Sequence, residues 1–159
     1  MKLLALDQAK SCGYAIFEDD KLITYGIEIL GGEKLTYEEI LLPASNTIKG
    51  LIEVVKPDLV GIEDIQYEQN MAVYQKLAML KGVLIRLFKE MNVKYLVVQP
   101  SKWKNYLKIQ GKKRDEQKAN TIKMMQKMFH IENLLSDEAD AIGLGIWVIN
   151  NISAKKELL

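Results

Sequence analysis

Four carboxylate side chains occupy positions in the sequence from which they could meet in a folded protein. Asp7 follows the apolar run KLLAL, and Glu63, with Asp64 beside it, follows LVGI. Asp137 and Asp140 lie three residues apart at the start of LSDEADAIGLGIWVIN, so a helix there would point both side chains the same way. Clustered carboxylates raise each other's pKa unless a cation lies among them. Such oxygen ligands suit Mg²⁺ or Mn²⁺, and two ions of this kind can support phosphodiester hydrolysis.

The second chemical feature is a basic segment between residues 102 and 118. It holds seven lysine or arginine residues against two acidic ones, whereas the net charge of the whole chain is only +1. The rest of the chain is therefore acidic overall. A local excess of positive charge attracts a polyanion such as DNA. The basic residues are Lys102, Lys104, Lys108, Lys112, Lys113, Arg114 and Lys118.

Length and composition restrict the class of protein. With 159 residues, 48% of them hydrophobic, the chain fits a single domain over residues 1–159 with a full core. No apolar run approaches the roughly 18 residues of a membrane span, and a charge interrupts the N-terminal stretch too early for a signal peptide. Cys12 is the one cysteine, which excludes an internal disulfide and a cysteine-rich zinc site. We therefore expect a cytoplasmic location.

The hydrophobic pattern predicts the elements that would position these residues. We expect three strands at KLLAL, GYAIF and KLITYGIEIL, a helix over about 34–56 and a strand over 59–64. A helix over about 70–90, capped by Asn70, precedes a strand over 94–99. Two helices follow the basic segment, and Ser136 is the expected N-cap of the second.

This order of elements predicts an α/β fold. We expect a mixed five-stranded sheet, with three antiparallel strands followed by parallel strands, and helices on both faces. If the first and fourth strands are parallel neighbours, Asp7 and Glu63 end at the same edge of the sheet. Ligand sites of open α/β sheets form at that edge.

Several stretches together resemble a known family. LLALDQAKSCGYAIF, LVGIEDIQYEQN, YLVVQPSKWK followed by GKKRDEQK, and SDEADAIGLGI resemble, in order and spacing, the RuvC-type Holliday-junction resolvases of the ribonuclease H-like superfamily. The compact form is similar to those that bacteriophages carry. The resemblance implies a Mg²⁺- or Mn²⁺-dependent endodeoxyribonuclease. It also implies a homodimer that nicks two strands of like polarity in a four-way DNA junction, in the bacterial host cytoplasm if phage-encoded.

The resemblance also implies roles for individual residues. The metal-binding, catalytic acids, with two ions per active site, match Asp7, Glu63, Asp137 and Asp140. The basic residue near the cleaved phosphate matches Lys102, after QPS, together with one of Lys112, Lys113, Arg114 or Lys118. The dimer helix matches residues 70–90, where Met71, Met79 and Leu80 would otherwise be exposed.

Two departures from the family pattern affect the expected specificity. Asp7-Gln8-Ala9 lacks the glycine that usually follows the first acid. Gln66 stands where family members often carry an aromatic wedge, with Tyr67 beside it, and Glu68 is expected in the same loop. A looser nuclease acting on several branched DNAs is therefore an open alternative.

Other functions also remain open at this point. An RNA-processing nuclease of the YqgF type would share the first acid and the late aspartate, and a non-catalytic branched-DNA-binding protein would share the fold. A sugar or nucleotide kinase of the actin-like class is disfavoured, because Ala9 replaces a glycine of its phosphate loop. Trp103 and Tyr106, interleaved with lysines, could stack on bases or pack against the sheet edge.

Overall fold

The computed structural model describes residues 1–32, 34–67 and 70–156, with side chains described as far as residue 152. The loop position expected for Glu68 lies outside these residues. Five strands form one sheet in the order β3-β2-β1-β4-β5. They are β1 (Lys2–Asp7), β2 (Ser11–Glu18), β3 (Lys21–Ile29), β4 (Leu59–Glu63) and β5 (Tyr95–Val98).

The strand directions follow from the lengths of the connections. The short links after β1 and β2 give antiparallel pairs, whereas β4 and β5 each follow a helix and run parallel to their neighbours. The helices are α1 (Tyr37–Val55), α2 (Met71–Glu90), α3 (Pro100–Tyr106), α4 (Arg114–Phe129) and α5 (Ser136–Lys156). None of the helices in the described part of the chain combines the length and apolarity of a bilayer-spanning segment.

Side chains that alternate along β1 divide the core into two halves. Leu4 and Leu6 pack with apolar residues of α1 and α2, whereas Leu3 and Ala5 pack with residues of α3, α4 and α5. Successive strand residues point to opposite faces, so an apolar run such as KLLAL fits a strand covered on both sides. The predicted fold class, with helices on both faces of a mixed five-stranded sheet, is confirmed.

Side-chain caps define where α1 and α2 begin. The Thr36 hydroxyl accepts a hydrogen bond from the backbone N–H of Glu39, and the Glu39 carboxylate accepts one from the N–H of Thr36. Asn70 accepts hydrogen bonds from the N–H groups of Ala72 and Val73, which confirms the predicted cap of α2. Pro43 lies inside α1 and does not start a separate helix.

Three expectations about the helices were wrong. The basic segment contains a helix of its own, α3, which begins with Pro100 at its first position. Ser136 is the first residue of α5 and its hydroxyl has no partner among the described residues, while Glu138 accepts a hydrogen bond from the N–H of Leu135 instead. Leu80 is fully buried against α1 and the sheet, so it is not an exposed residue of a dimer helix.

Candidate active site

The ends of two neighbouring strands bring the first two predicted acids to one edge of the sheet. Asp7 is the last residue of β1 and Glu63 is the last residue of β4. The two strands are parallel, and Leu6 is paired with Ile62. The next residue on each strand is therefore an acid, so Asp7 and Glu63 lie side by side at the carboxyl ends of β1 and β4.

Close contact between α5 and the sheet brings in the third acid. Gly13 lies opposite Asp7 on β2, and a Cβ on Gly13 would stand 1.9 Å from the backbone carbonyl oxygen of Asp137. Only glycine allows the first turn of α5 to come this close to the strand. The Ser11 hydroxyl donates a hydrogen bond of 2.7 Å to Oδ2 of Asp137, which fixes the direction of that carboxylate.

All four predicted acids, Asp7, Glu63, Asp137 and Asp140, line a single open cleft of about 780 Å³. Asp140 is the most buried charged residue among them, with 8% of its surface exposed. Its Oδ1 atom has no hydrogen-bond partner within the described residues. An unpartnered carboxylate oxygen away from water is costly, so this position calls for a cation or a proton.

Burial and mutual repulsion raise the pKa values of three of these acids. Burial, and then the charges of Glu63, Asp140 and Asp137, hold the pKa of Asp7 well above its usual range. Burial, and then the charge of Asp140, raise the pKa of Glu63 to about 7. Burial also raises the pKa of Asp140 to about 6, although the positive charges of Lys104 and Lys118 oppose the shift. The acids therefore repel one another across the cleft.

Basic residues also line the cleft, and they include only part of the predicted basic segment. Lys104, Lys112, Arg114 and Lys118 line the cleft, whereas Lys102, Lys108 and Lys113 are exposed and are not among the lining residues. Residues two apart in a helix point about 200° apart around its axis, so Lys102 and Lys104 of α3 face different ways. Lys104, and not Lys102, is the residue of α3 that the structure brings to the acids.

Trp103 does not take the base-stacking role that was considered for it. Its side chain is fully buried, and the indole N–H donates a hydrogen bond of 2.6 Å to Oε2 of Glu63. Tyr106 is 48% exposed on the same helix. Of the two alternatives for Trp103, packing inside the protein is the one that the structure shows.

The loops beyond β1 and β4 form the other side of the cleft. Gln8 is 5% exposed, and neither its amide nitrogen nor its amide oxygen has a partner within the described residues. Gln66 is exposed and lines the cleft. Tyr67 is 59% exposed outside the lining, and its ring meets the edge of Tyr74 at a centroid distance of 5.9 Å.

Sequence reasoning missed several residues of the site. Ser11 and Trp103 hold two of the acids, and Gln8 lies next to Asp7, but nothing in a single sequence marks these contacts in advance. A sequence signal did exist for the orientation of Lys104. Pro100 is a typical first residue of a helix, and recognising α3 from it would have put Lys102 and Lys104 on different faces.

The carboxylate oxygens of the cleft are ligands of the type that a divalent cation prefers, although they are not arranged as a complete coordination sphere. Within residues 1–32, 34–67 and 70–152, whose side chains the structure describes, no three acidic, histidine or cysteine side chains already surround one point as metal ligands do. Asp140 is nonetheless buried, Asp7 and Glu63 are half-buried, all three have raised pKa values in one cleft, and Oδ1 of Asp140 has no partner within the described residues. A cation would relieve both the repulsion and the missing contact.

The cleft thus combines acids from the ends of two parallel strands and the start of the last helix with basic residues, on a mixed five-stranded sheet, which is the arrangement expected of a nuclease with a ribonuclease H-like fold. Residues 4–147 match the family model described as crossover junction endodeoxyribonuclease RuvC. The chain therefore belongs to the RuvC family of endonucleases, which confirms the resemblance seen in the sequence.

Individual relatives agree with the family match. The crossover junction endodeoxyribonuclease RuvC of Fusobacterium nucleatum is 26% identical over 162 residues, which cover 98% of this chain and 83% of that protein. Thermus thermophilus RuvC in complex with a Holliday junction substrate has a similar fold, with a TM-score of 0.72 and 13% identity over 92% of this chain and 91% of that one. A fowlpox virus resolvase in complex with Holliday junction DNA also has a similar fold, with a TM-score of 0.64 and 18% identity, and the match covers 96% of this chain and 99% of that one.

Proposed function

We propose that this chain cuts four-way DNA junctions by metal-dependent hydrolysis, and that it nicks two strands of like polarity symmetrically. The observation that carries the proposal is the cleft whose lining combines the four acids with four basic residues. Membership of an endodeoxyribonuclease family favours DNA over structured RNA as the substrate. All four acids are in place, which favours catalysis over binding alone.

The four acids are the proposed ligands of Mg²⁺ or Mn²⁺. Asp7 and Glu63 would hold the ions from the sheet, and Asp137 and Asp140 from the first turn of α5. Two bound ions would activate a water and stabilise the leaving oxygen. Ser11 keeps Asp137 directed and Trp103 keeps Glu63 directed, so these two ligands need little rearrangement.

Lys104 is the proposed electrostatic contact of the cleaved phosphate. Its charge acts on Asp7, Glu63 and Asp140, which supports a position close enough to the proposed metal ligands for it to meet a phosphate bound there. Lys112 and Lys118 would bind neighbouring phosphates along the same strand. Lys102, Lys108 and Lys113 are surface residues outside the cleft, where they would contact only a DNA arm that extends beyond it.

The junction centre would meet the loop between β4 and α2. Gln66 lines the cleft, and Tyr67 is exposed beside it. A tyrosine ring can stack on a base that is unpaired at a branch point. Because Gln66 itself is not aromatic, we propose a relaxed selectivity that includes three-way junctions.

Symmetric nicks require two active sites related by a two-fold axis, and helix α2 is the proposed dimer interface. Met71 and Met79 are 53% and 37% exposed and lie eight residues apart on this helix, which puts them about 80° apart around its axis, on neighbouring parts of its surface. Replacing Met79 with lysine should convert a dimer into a monomer in analytical ultracentrifugation. A wild-type protein that sediments as a monomer at micromolar concentration would rule out this interface.

The function is tested by cleavage of four-way, three-way and linear duplex DNA with Mg²⁺. Asp7→Asn and Asp140→Asn should each abolish nicking of the junction while binding in a gel-shift assay remains. Asp20→Asn, a change at an exposed turn, is the matched control and should cut normally. Nicking by either site variant would refute the assignment, and preferred cleavage of structured RNA would favour the RNA-processing alternative.

A further inference from the structure

The indole of Trp103 is the one buried polar group of α3 that contacts an acid of the cleft among the described residues. The ring is fully buried, and its N–H donates to Oε2 of Glu63 at 2.6 Å. An indole N–H is a donor only and cannot itself bind a cation. The contact therefore restrains one oxygen of Glu63 without competing for the metal.

The neighbouring helix is shaped to accept this ring. A Cβ on Gly143 of α5 would lie 2.7 Å from a ring carbon of Trp103, closer than packed atoms approach. Gly143 stands three residues after Asp140 on the same helix. The ring thus lies between the helix that carries Asp140 and the Glu63 carboxylate at the end of β4.

The face of the same ring supports the lysine of the cleft. Nζ of Lys104 lies 5.2 Å from the centroid of the Trp103 ring, within the range of a cation–π contact. The charge of Lys104 also acts on Asp7, Glu63 and Asp140. The Trp103 ring therefore contacts the Glu63 carboxylate through its N–H edge and the Lys104 ammonium through its face.

We propose that Trp103 is a positioning residue that fixes the Glu63 carboxylate and the Lys104 ammonium relative to each other, so that the cleft takes up a divalent cation tightly. The inference rests on the proposed metal-dependent function. It goes beyond that function by giving this chain's own tryptophan a task other than filling the core. Hydrogen-bond partners behind metal ligands typically account for 10- to 100-fold in metal affinity.

The test compares two tryptophan-to-phenylalanine variants. Trp103→Phe keeps an aromatic ring in the core but removes the N–H, and Trp147→Phe makes the same change in the same core cluster away from Glu63. Mn²⁺ affinity is measured without DNA by isothermal titration calorimetry. We expect Trp103→Phe to bind Mn²⁺ about 10- to 100-fold more weakly than Trp147→Phe, and to nick with a lower kcat at an unchanged KM.

Further measurements separate positioning from packing. Glu63→Gln combined with Trp103→Phe should bind Mn²⁺ no more weakly than Glu63→Gln alone, because the indole acts through Glu63. In the Trp147→Phe protein, Trp103 is the only tryptophan left, and Mg²⁺ should change its emission. This fluorescence measurement gives a result even if the Trp103→Phe variant fails to fold.

The outcomes distinguish this inference from the proposed function. Equal Mn²⁺ affinity of the two phenylalanine variants, or emission of Trp103 that Mg²⁺ leaves unchanged, would overturn the role of Trp103 while leaving the nuclease intact. A wild-type protein that binds no Mn²⁺ would overturn the metal-dependent function itself.

Discussion

Removing the charge of Asp140 should make the metal-free protein more stable while it abolishes cleavage. Asp140 is 8% exposed, and Oδ1 has no partner within the described residues. Burial is the main cause that raises its pKa from 3.8 to about 6. Each pKa unit corresponds to about 1.4 kcal/mol, so at pH 7.5 the ionised side chain destabilises the folded state by about 3 kcal/mol.

The size of the effect makes it measurable by thermal unfolding. In a domain of this length, one kcal/mol shifts Tm by about 2–4 °C. Asp140→Asn should therefore raise the Tm of the metal-free protein at pH 7.5 by up to about 10 °C. The gain has an upper limit because the asparagine amide would be buried in the same place. Asp20→Asn, at an exposed turn, is the control and should leave Tm unchanged.

The pH dependence of this gain has a defined sign. A carboxyl group whose pKa is raised by folding favours the folded state while it is protonated, and this advantage is lost as the pH rises through the folded-state value. The difference between Asp140→Asn and wild type should thus be largest above pH 6 and vanish as the pH falls towards 4.

Metal should reverse the order of the two proteins. Mn²⁺ at 1,000 times its Kd stabilises a protein that binds it by about 4.1 kcal/mol, which exceeds the roughly 3 kcal/mol by which the ionised Asp140 destabilises the metal-free wild type. It should raise the Tm of wild type but not that of the variant. A variant that melts at or below wild type at pH 7.5 without metal would refute the claim that burial of a repelled charge governs this site.

Three further predictions follow from the same geometry. Lys104→Ala should lower the nicking rate by about 100-fold, the loss typical of a removed electrostatic contact, whereas Lys102→Ala should stay within about threefold because Lys102 lies outside the cleft. Gly13→Ala should destabilise the protein in urea unfolding by about 1–3 kcal/mol because α5 must move. Gly50→Ala, in a helix with open space around it, should stabilise by about 1 kcal/mol. Mn²⁺ affinity in calorimetry should fall as the pH drops below 7, since protons then compete for Glu63.

The order and direction of the strands could be predicted because they depend on local signals. Few topologies are possible for this chain. The strands are short apolar runs, a two-residue turn joins β2 to β3, and helices of about twenty residues separate the later strands. The cap of α5 and the buried face of α2 were not predictable in the same way. The apolar residues of α2 are spread around most of the helix, and a pattern of that width does not identify which face is buried. The burial of Leu80 therefore could not be read from the sequence.

The meeting of the four acids in one cleft was also predictable, because their positions at strand ends and at a helix start follow from the topology. The contacts that direct them were not. Ser11 lies 126 residues from Asp137 and Trp103 lies 40 residues from Glu63, and no local pattern links residues so far apart. Lys104 was one of seven basic residues in its segment, and only the orientation of α3 selects it.

The apolar character of α5 explains why its first turn keeps two carboxylates in the cleft. Ala141, Ile142 and Leu144 are fully buried between the sheet and the outer helices, so the helix has no freedom to turn its acids towards water. Gly13 fixes the height of the helix above β2. Asp140 must therefore remain in the cleft whether or not its charge is balanced. A rigid apolar helix keeps a repelled carboxylate in place, and this arrangement becomes favourable when a cation binds.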